Sequence, residues 1–145
     1  MNWITENVAI GNYLDAQDTA LHQAEAIRSM VSLDGKLLGV EAATLQLDAL
    51  EAFDLKDGPG NNPDHFKRAV ETIARFARLY PKVLVQCHAG RSRSVIAVAA
   101  YLMRSQALSA EQALALIGAR REIALTAGIE RLLRAPWLAS VSPKR

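Results

Sequence analysis

The chain has one cysteine, Cys87, in 145 residues. It therefore forms no internal disulfide and cannot build a multi-thiolate zinc site. Histidine is almost as scarce: His22, His65 and His88 lie far apart without ligand spacing, so neither a metal nor another cofactor is expected. Net charge is small, 17 Lys and Arg against 15 Asp and Glu giving +2, and the basic residues form no continuous run. That balance argues against a nucleic-acid partner. No apolar run approaches the roughly 18 residues of a membrane span; the nearest is interrupted by Arg104 and Gln106. The opening Met1-Asn2-Trp3-Ile4-Thr5-Glu6-Asn7 lacks the basic start and apolar core of a signal peptide. Repeats, low-complexity segments and linkers are absent as well. The expectation is a soluble cytoplasmic monomer without stable membrane insertion, a single domain over 1–145. At this length roughly 68–70% of the unfolded surface can be buried, so no covalent or metal staple is needed.

What is present is an alternation of patterns. Trp3-Ile4 and Val8 to Gly11 read as short strands, and Ala16, Ala20, Leu21, Ala24 and Ile27 predict a helix from Asp15 to Arg28. Ser29 to Leu33 reads as a strand closed by the turn Asp34-Gly35. Lys36 to Leu50 carries no clear period. Ala52 to Leu55 predicts another strand, running into Lys56-Asp57-Gly58-Pro59-Gly60-Asn61-Asn62-Pro63, whose glycines and prolines exclude helix and inner strand. Asn62 or Asp64 then caps a helix marked by Phe66, Ala69, Val70, Ile73, Phe76, Ala77 and Tyr80, ended by Pro81. Val83-Leu84-Val85 follows as a strand, then the Cys87 turn and a helix to Gln106. Ser109-Ala110-Glu111-Gln112 is a capping box opening the next helix, and a last helix is expected over Ile129 to Arg134. The fold class expected is α/β: a central, mostly parallel twisted sheet of about four or five strands flanked by helices, with a helical C-terminal third.

A lone cysteine after an apolar strand is ordinarily a buried small hydrophobe. Here it opens Cys87-His88-Ala89-Gly90-Arg91-Ser92-Arg93-Ser94, between a strand and an apolar helix. Gly90 permits a tight turn. The helix N-terminus near Arg93 aims free N–H groups and a positive dipole end at the same spot. Arg93 can grip phosphate oxygens with two prongs. These donors would cradle a phosphate dianion and would also stabilise a thiolate, the nucleophilic form of cysteine.

This joint pattern resembles the signature loop of the cysteine-dependent protein tyrosine phosphatases, in their compact dual-specificity branch. Ala97 to Met103 resembles that branch's helix after the loop. Ser109 to Ala113, followed by Arg120-Arg121-Glu122-Ile123, resembles its next helix. The resemblance runs over roughly residues 3–134 and is weakest between Lys36 and Leu50. It implies a metal-independent hydrolysis of phosphomonoesters, on phosphotyrosine and also phosphoserine or phosphothreonine proteins or small phosphomonoesters, through a phosphocysteine. Cys87 would attack, residues His88, Ala89, Gly90, Arg91, Ser92 and Arg93 would bind phosphate, and Ser94 would help the thiolate leave. Asp57 falls where the family places its general acid. As a loop residue it is preferred over Asp54, in the expected strand, and Asp64, at the helix start; a plain Asp-Gly turn is the bland alternative.

Two features depart from or extend the pattern. The family usually has histidine before the cysteine; here Gln86 stands there, which predicts a less stabilised thiolate or a slower enzyme, with glutamine bonding the loop backbone instead. His88 and Arg91 add cationic character, as in phosphoinositide phosphatases of the superfamily, unless Arg91 points to solvent or pairs with a nearby acid. A weakly active phosphate-binding module is a further alternative. Rhodanese-type sulfur transfer fits poorly, because it explains neither Ser94 nor Asp57. Tyr80, Tyr101 and Phe76 are expected to be packing residues, Trp137 to pin the C-terminus, His22 and His65 to be exposed on helices, and Pro143-Lys144-Arg145 to fray.

Overall fold

The computed structural model describes residues 1–139; the expected fraying at Pro143 to Arg145 lies outside them. Five strands, β1 (Asn2–Trp3), β2 (Val8–Gly11), β3 (Ser29–Ser32), β4 (Ala49–Ala52) and β5 (Val83–Gln86), form one sheet in the order β1-β2-β5-β3-β4. β1 pairs antiparallel with β2, and the other three pairings are parallel. The helices are α1 (Tyr13–Gln17), α2 (Thr19–Ala24), α3 (Pro63–Leu79), α4 (Arg93–Ser105), α5 (Ala110–Gly118) and α6 (Pro136–Ala139). The α/β class, the mostly parallel sheet and the helical C-terminal third are as expected.

Strand alternation divides the core. Val8 and Ile10 of β2, Val31 of β3, and Val83 and Val85 of β5 join the cluster shared with α3, α4 and α5. Their neighbours Ala9, Met30 and Leu84 face the opposite side with Ala16, Ile27 and Leu45, as a side-chain period of two requires. A sheet covered on both faces needs strands apolar throughout, and β2, β3 and β5 are buried at every position. In α4 the residues from Ser94 to Ala100 are all buried. This is the mark of a helix enclosed on every side. α3 instead buries one stripe, Phe66, Ala69, Val70, Ile73 and Phe76, and its N-cap is Asn62, whose side chain accepts from Asp64 and His65 N–H.

Four local expectations are corrected. The single helix over 15–28 is two short ones, because Asp18 closes α1 and its side chain caps α2 by accepting from Leu21 N–H, the competition with the helical backbone that short acidic side chains offer. His22 is buried, its ring nitrogens 3.0 Å from the Leu45 carbonyl and 2.9 Å from the Asp15 carbonyl. Strand β4 begins at Ala49 within the segment that carried no period and ends at Ala52. Phe53 and Leu55 are buried beyond it, bonded through their N–H groups to the Ser32 and Leu33 carbonyls. Ile129–Arg134 is a 3₁₀ helix. Trp137 packs on Phe66, with ring centroids 6.3 Å apart, consistent with its expected role.

After α4, Ala107 takes a left-handed backbone (φ 55°) and is exposed. That conformation costs a non-glycine residue roughly 1–2 kcal/mol, against the roughly 0.5–1 kcal/mol of extra entropy that glycine loses on folding. Ala107→Gly is therefore expected to stabilise the fold by about 0.5–1 kcal/mol, seen as a raised urea midpoint at unchanged m-value.

Candidate active site

The parallel strands all end on one side of the sheet, where ligands of such folds bind. β2 ends at Gly11 and leads into Tyr13, β3 leads to Asp34, β4 leads through Leu55 to Asp57, and β5 delivers Cys87. The loops that follow β4 and β5 meet around a cleft of about 360 Å³, lined by Asp57, Cys87, His88, Ala89, Arg91, Ser92, Arg93 and Ala124. The expected catalytic and phosphate-binding residues are thus brought together, save that Gly90 and Ser94 stand behind the lining.

Cys87 is buried at the cleft floor. Its Sγ lies 3.2 Å from Ser94 Oγ, and Ser94 N–H donates to it at 3.4 Å. Ser94 is the second residue of α4, whose N-cap, Ser92, makes no side-chain cap bond; the Ser92 hydroxyl instead accepts from Thr126 N–H at 3.0 Å. The first turn of the helix thus directs the Ser94 amide at the sulfur, where a negative charge gains from the helix's positive end. Gly90 takes φ 69°, and a Cβ there would sit 2.5 Å from the Arg121 guanidinium and 2.6 Å from the Gly11 carbonyl oxygen. Only glycine allows the loop to turn this close to the end of β2.

Arg93 donates to the Leu55 carbonyl at 3.2 Å. One arginine N–H thereby joins the phosphate loop to the loop that carries Asp57. Asp57 is exposed. Its loop is held from below by Asn61, whose carbonyl oxygen accepts from Lys56 N–H at 2.8 Å and whose amide donates to the Lys56 and Gly58 carbonyls at 2.8 and 3.3 Å. Asp54 lies over Gly35, forms an isolated bridge with Asp34 and is not among the cleft residues. Asp64 sits in the first turn of α3. Of the three carboxylates considered, only Asp57 reaches the cleft.

Gln86 does not bond the loop backbone through its side chain. It is buried, accepts from the Ser32 hydroxyl at 2.5 Å and donates to the Asp34 carboxylate at 2.9 Å. The loop is thus braced against β3 by a neutral amide, and Asp34 is the partner that sequence did not disclose. Arg91 pairs with Glu122 at 3.3 Å, both side chains at least half exposed, and it also lines the cleft.

Arg121, which sequence reading left without a role, braces the Cys87 loop from outside the cleft lining. Its Nε donates to the Gly90 carbonyl at 2.6 Å, and its two terminal nitrogens donate to the Asn2 side-chain oxygen at 2.7 Å and the Ala89 carbonyl at 3.4 Å. Burial pushes this guanidinium below its ordinary value, partly offset by attraction to Asp15 and Cys87 and deepened by Arg91. The positive charge thus sits within electrostatic reach of the sulfur. Nothing local distinguishes Arg121 from Arg120, and its loop contacts span more than thirty residues. Arg121→Met removes charge-assisted bonds of roughly 1.5–3 kcal/mol. It is expected to lower thermal stability and kcat together, measured by thermal melts and turnover on the same preparation.

Residues 47–135 match the family model described as "Dual specificity phosphatase, catalytic domain". The chain is 30% identical over 127 residues to human "Dual specificity protein phosphatase 22", spanning 86% of this chain and 66% of that protein. It is 28% identical over 120 residues to "Putative tyrosine phosphatase 123R" of Invertebrate iridescent virus 6, spanning 83% and 79%. Among solved structures it resembles the human tyrosine phosphatase-like serine/threonine/tyrosine-interacting protein, with a TM-score of 0.81 and 25% identity over 98% of both chains. A mouse putative dual specificity phosphatase has the same fold, with a TM-score of 0.83 and 23% identity over 99% of this chain and 92% of that one.

Proposed function

Because this chain belongs to the dual specificity phosphatase catalytic-domain family and is a protein tyrosine/dual-specificity phosphatase, we propose that Cys87, Arg93, Asp57 and Ser94 carry its reaction. The observation that supports this assignment is the Cys87 thiol held by Ser94 at the start of α4, in a cleft shared with Asp57 and Arg93.

In the first step the Cys87 thiolate attacks phosphorus, and the bond from phosphorus to the ester oxygen breaks. Asp57, as the carboxylic acid, gives its proton to the departing oxygen. Arg93 and the loop amides take up the charge on the three remaining phosphoryl oxygens, which is greatest in the transition state. In the second step water attacks the phosphocysteine, Asp57 accepts the water's proton, and the sulfur–phosphorus bond breaks. The Ser94 hydroxyl, 3.2 Å from the sulfur, then donates to the returning thiolate. Protein and phosphate change no oxidation state, and the same carboxyl group is restored.

The cleft serves phosphorylated proteins, with phosphotyrosine and phosphothreonine both admitted. A preference for polyanionic lipid or inositol phosphates would draw the cleft-lining Arg91 away from its exposed pair with Glu122, a pair worth at most about 1 kcal/mol, and is the second reading. The test is turnover of p-nitrophenyl phosphate, phosphotyrosine and phosphothreonine peptides and phosphoinositides, with and without a metal chelator. Turnover of the aryl phosphate and the peptides, undiminished by chelator, is expected. No turnover by the wild type would leave only a phosphate-binding module, and a strong phosphoinositide preference would overturn the substrate assignment.

A further inference from the structure

A second hollow, of about 210 Å³, adjoins the catalytic cleft. His88 lines both, so a chain presenting its phosphate to Cys87 passes directly beside this hollow. The dividing wall is a stack: the Tyr13 ring lies parallel to the His88 imidazole, with centroids 4.5 Å and planes 3° apart, and Tyr13 N–H donates to the His88 carbonyl at 2.9 Å. The other walls are Ala16 and Gln17 of α1, Lys36 and Leu37, and the Gln86–Asp34 pair.

Several of its polar groups are engaged with protein partners, the Gln17 amide donating to the Tyr13 carbonyl at 3.1 Å. Asp34 accepts from Gln86 and from Lys36 N–H, and Gln86 accepts from Ser32. The surface offered to a visitor is mainly apolar, the Tyr13 ring, Ala16 and Leu37, with Lys36 as the cationic side chain in the lining. Tyr13 is 40% exposed, so its ring is open to an incoming chain.

We propose that this hollow is a substrate subsite that takes an apolar side chain adjacent to the phosphorylated residue, with the Tyr13–His88 stack as the wall it shares with the catalytic cleft. The proposal rests on the phosphatase reading above and assigns its sequence preference. An apolar side chain leaves water there against the Tyr13 ring, Ala16 and Leu37 without displacing any hydrogen bond, whereas an acidic one would turn to Lys36 instead.

The test uses the full chain and phosphotyrosine peptides with Leu, Gly or Glu at the residues flanking the phosphotyrosine, beside p-nitrophenyl phosphate, which is too small to reach the hollow. Wild type is expected to favour Leu over Gly by about tenfold in kcat/KM, the scale of an apolar pocket contact. Gln17→Trp, which fills the hollow from an exposed position, is expected to erase that preference while p-nitrophenyl phosphate turnover stays unchanged. Equal rates on the Leu and Gly peptides overturn the proposal, as does a parallel loss on the peptides and the small substrate in Gln17→Trp. A Glu preference that Lys36→Gln abolishes overturns it in favour of an acid-reading mouth. If wild type hydrolyses none of these substrates, the phosphatase reading itself has failed. The subsite is then judged by peptide binding, where Leu over Gly supports it and equality overturns it.

Discussion

Cys87→Ser is expected to lower kcat on p-nitrophenyl phosphate by about 10,000-fold or more, on the scale that follows loss of a covalent nucleophile. A serine oxygen in that position would have the same Ser94 contacts but not the easily formed anion of sulfur, and attack on phosphorus needs the anion. Cys87 is also part of the buried core, so its replacement by the slightly smaller, isosteric serine is mild for packing. Inorganic phosphate or a phosphopeptide should therefore still bind, with the wild-type thermal shift on ligand addition retained. Stopped-time turnover together with that shift checks both halves. Residual activity within tenfold of wild type would rule out Cys87 as the nucleophile.

Asp57→Asn is expected to cost roughly 100- to 10,000-fold on phosphotyrosine peptides, the usual worth of a general acid. The penalty should shrink as the leaving group improves, because a phenolate that departs unaided needs no proton. A series of aryl phosphates spanning good and poor leaving groups measures this directly. Asp54→Asn, outside the cleft, serves as the control and should follow wild type across the series. If the Asp57→Asn penalty were independent of the leaving group, Asp57 would be holding the loop and not giving the proton. That structural duty already falls to Asn61, which bonds Lys56 and Gly58 on either side of it.

The reaction centre was legible because its parts are local. Cys87, Gly90, Arg93 and Ser94 lie within eight residues, and one turn geometry sets all their relations. Asp57 was legible for a different reason: glycine and proline mark its loop regardless of what the loop packs against. The errors arose where short-range signals compete. Asp15 to Arg28 has a helical period, yet Asp18 caps a helix better than it continues one. Strand β4 lies at the sheet edge with only β3 beside it, so its pattern is that of a half-exposed strand, and the apolar residues that suggested a strand at Ala52 to Leu55 lie mostly beyond it.

The sequence by itself therefore determined the α/β class, the Cys87 to Ser94 turn between strand and helix, and the glycine- and proline-rich loop that carries Asp57, since each depends on residue spacing within a single segment. Only the tertiary structure decided what surrounds them. Arg121 is clamped on Gly90 and Ala89, Gln86 is held by Ser32 and Asp34, Arg91 is drawn to Glu122, and Tyr13 is laid on His88. Each of these contacts joins segments about thirty or more residues apart. Which side chains meet at that range is set by strand order and by the common direction in which β2, β3, β4 and β5 end, and no local pattern of residues carries that information.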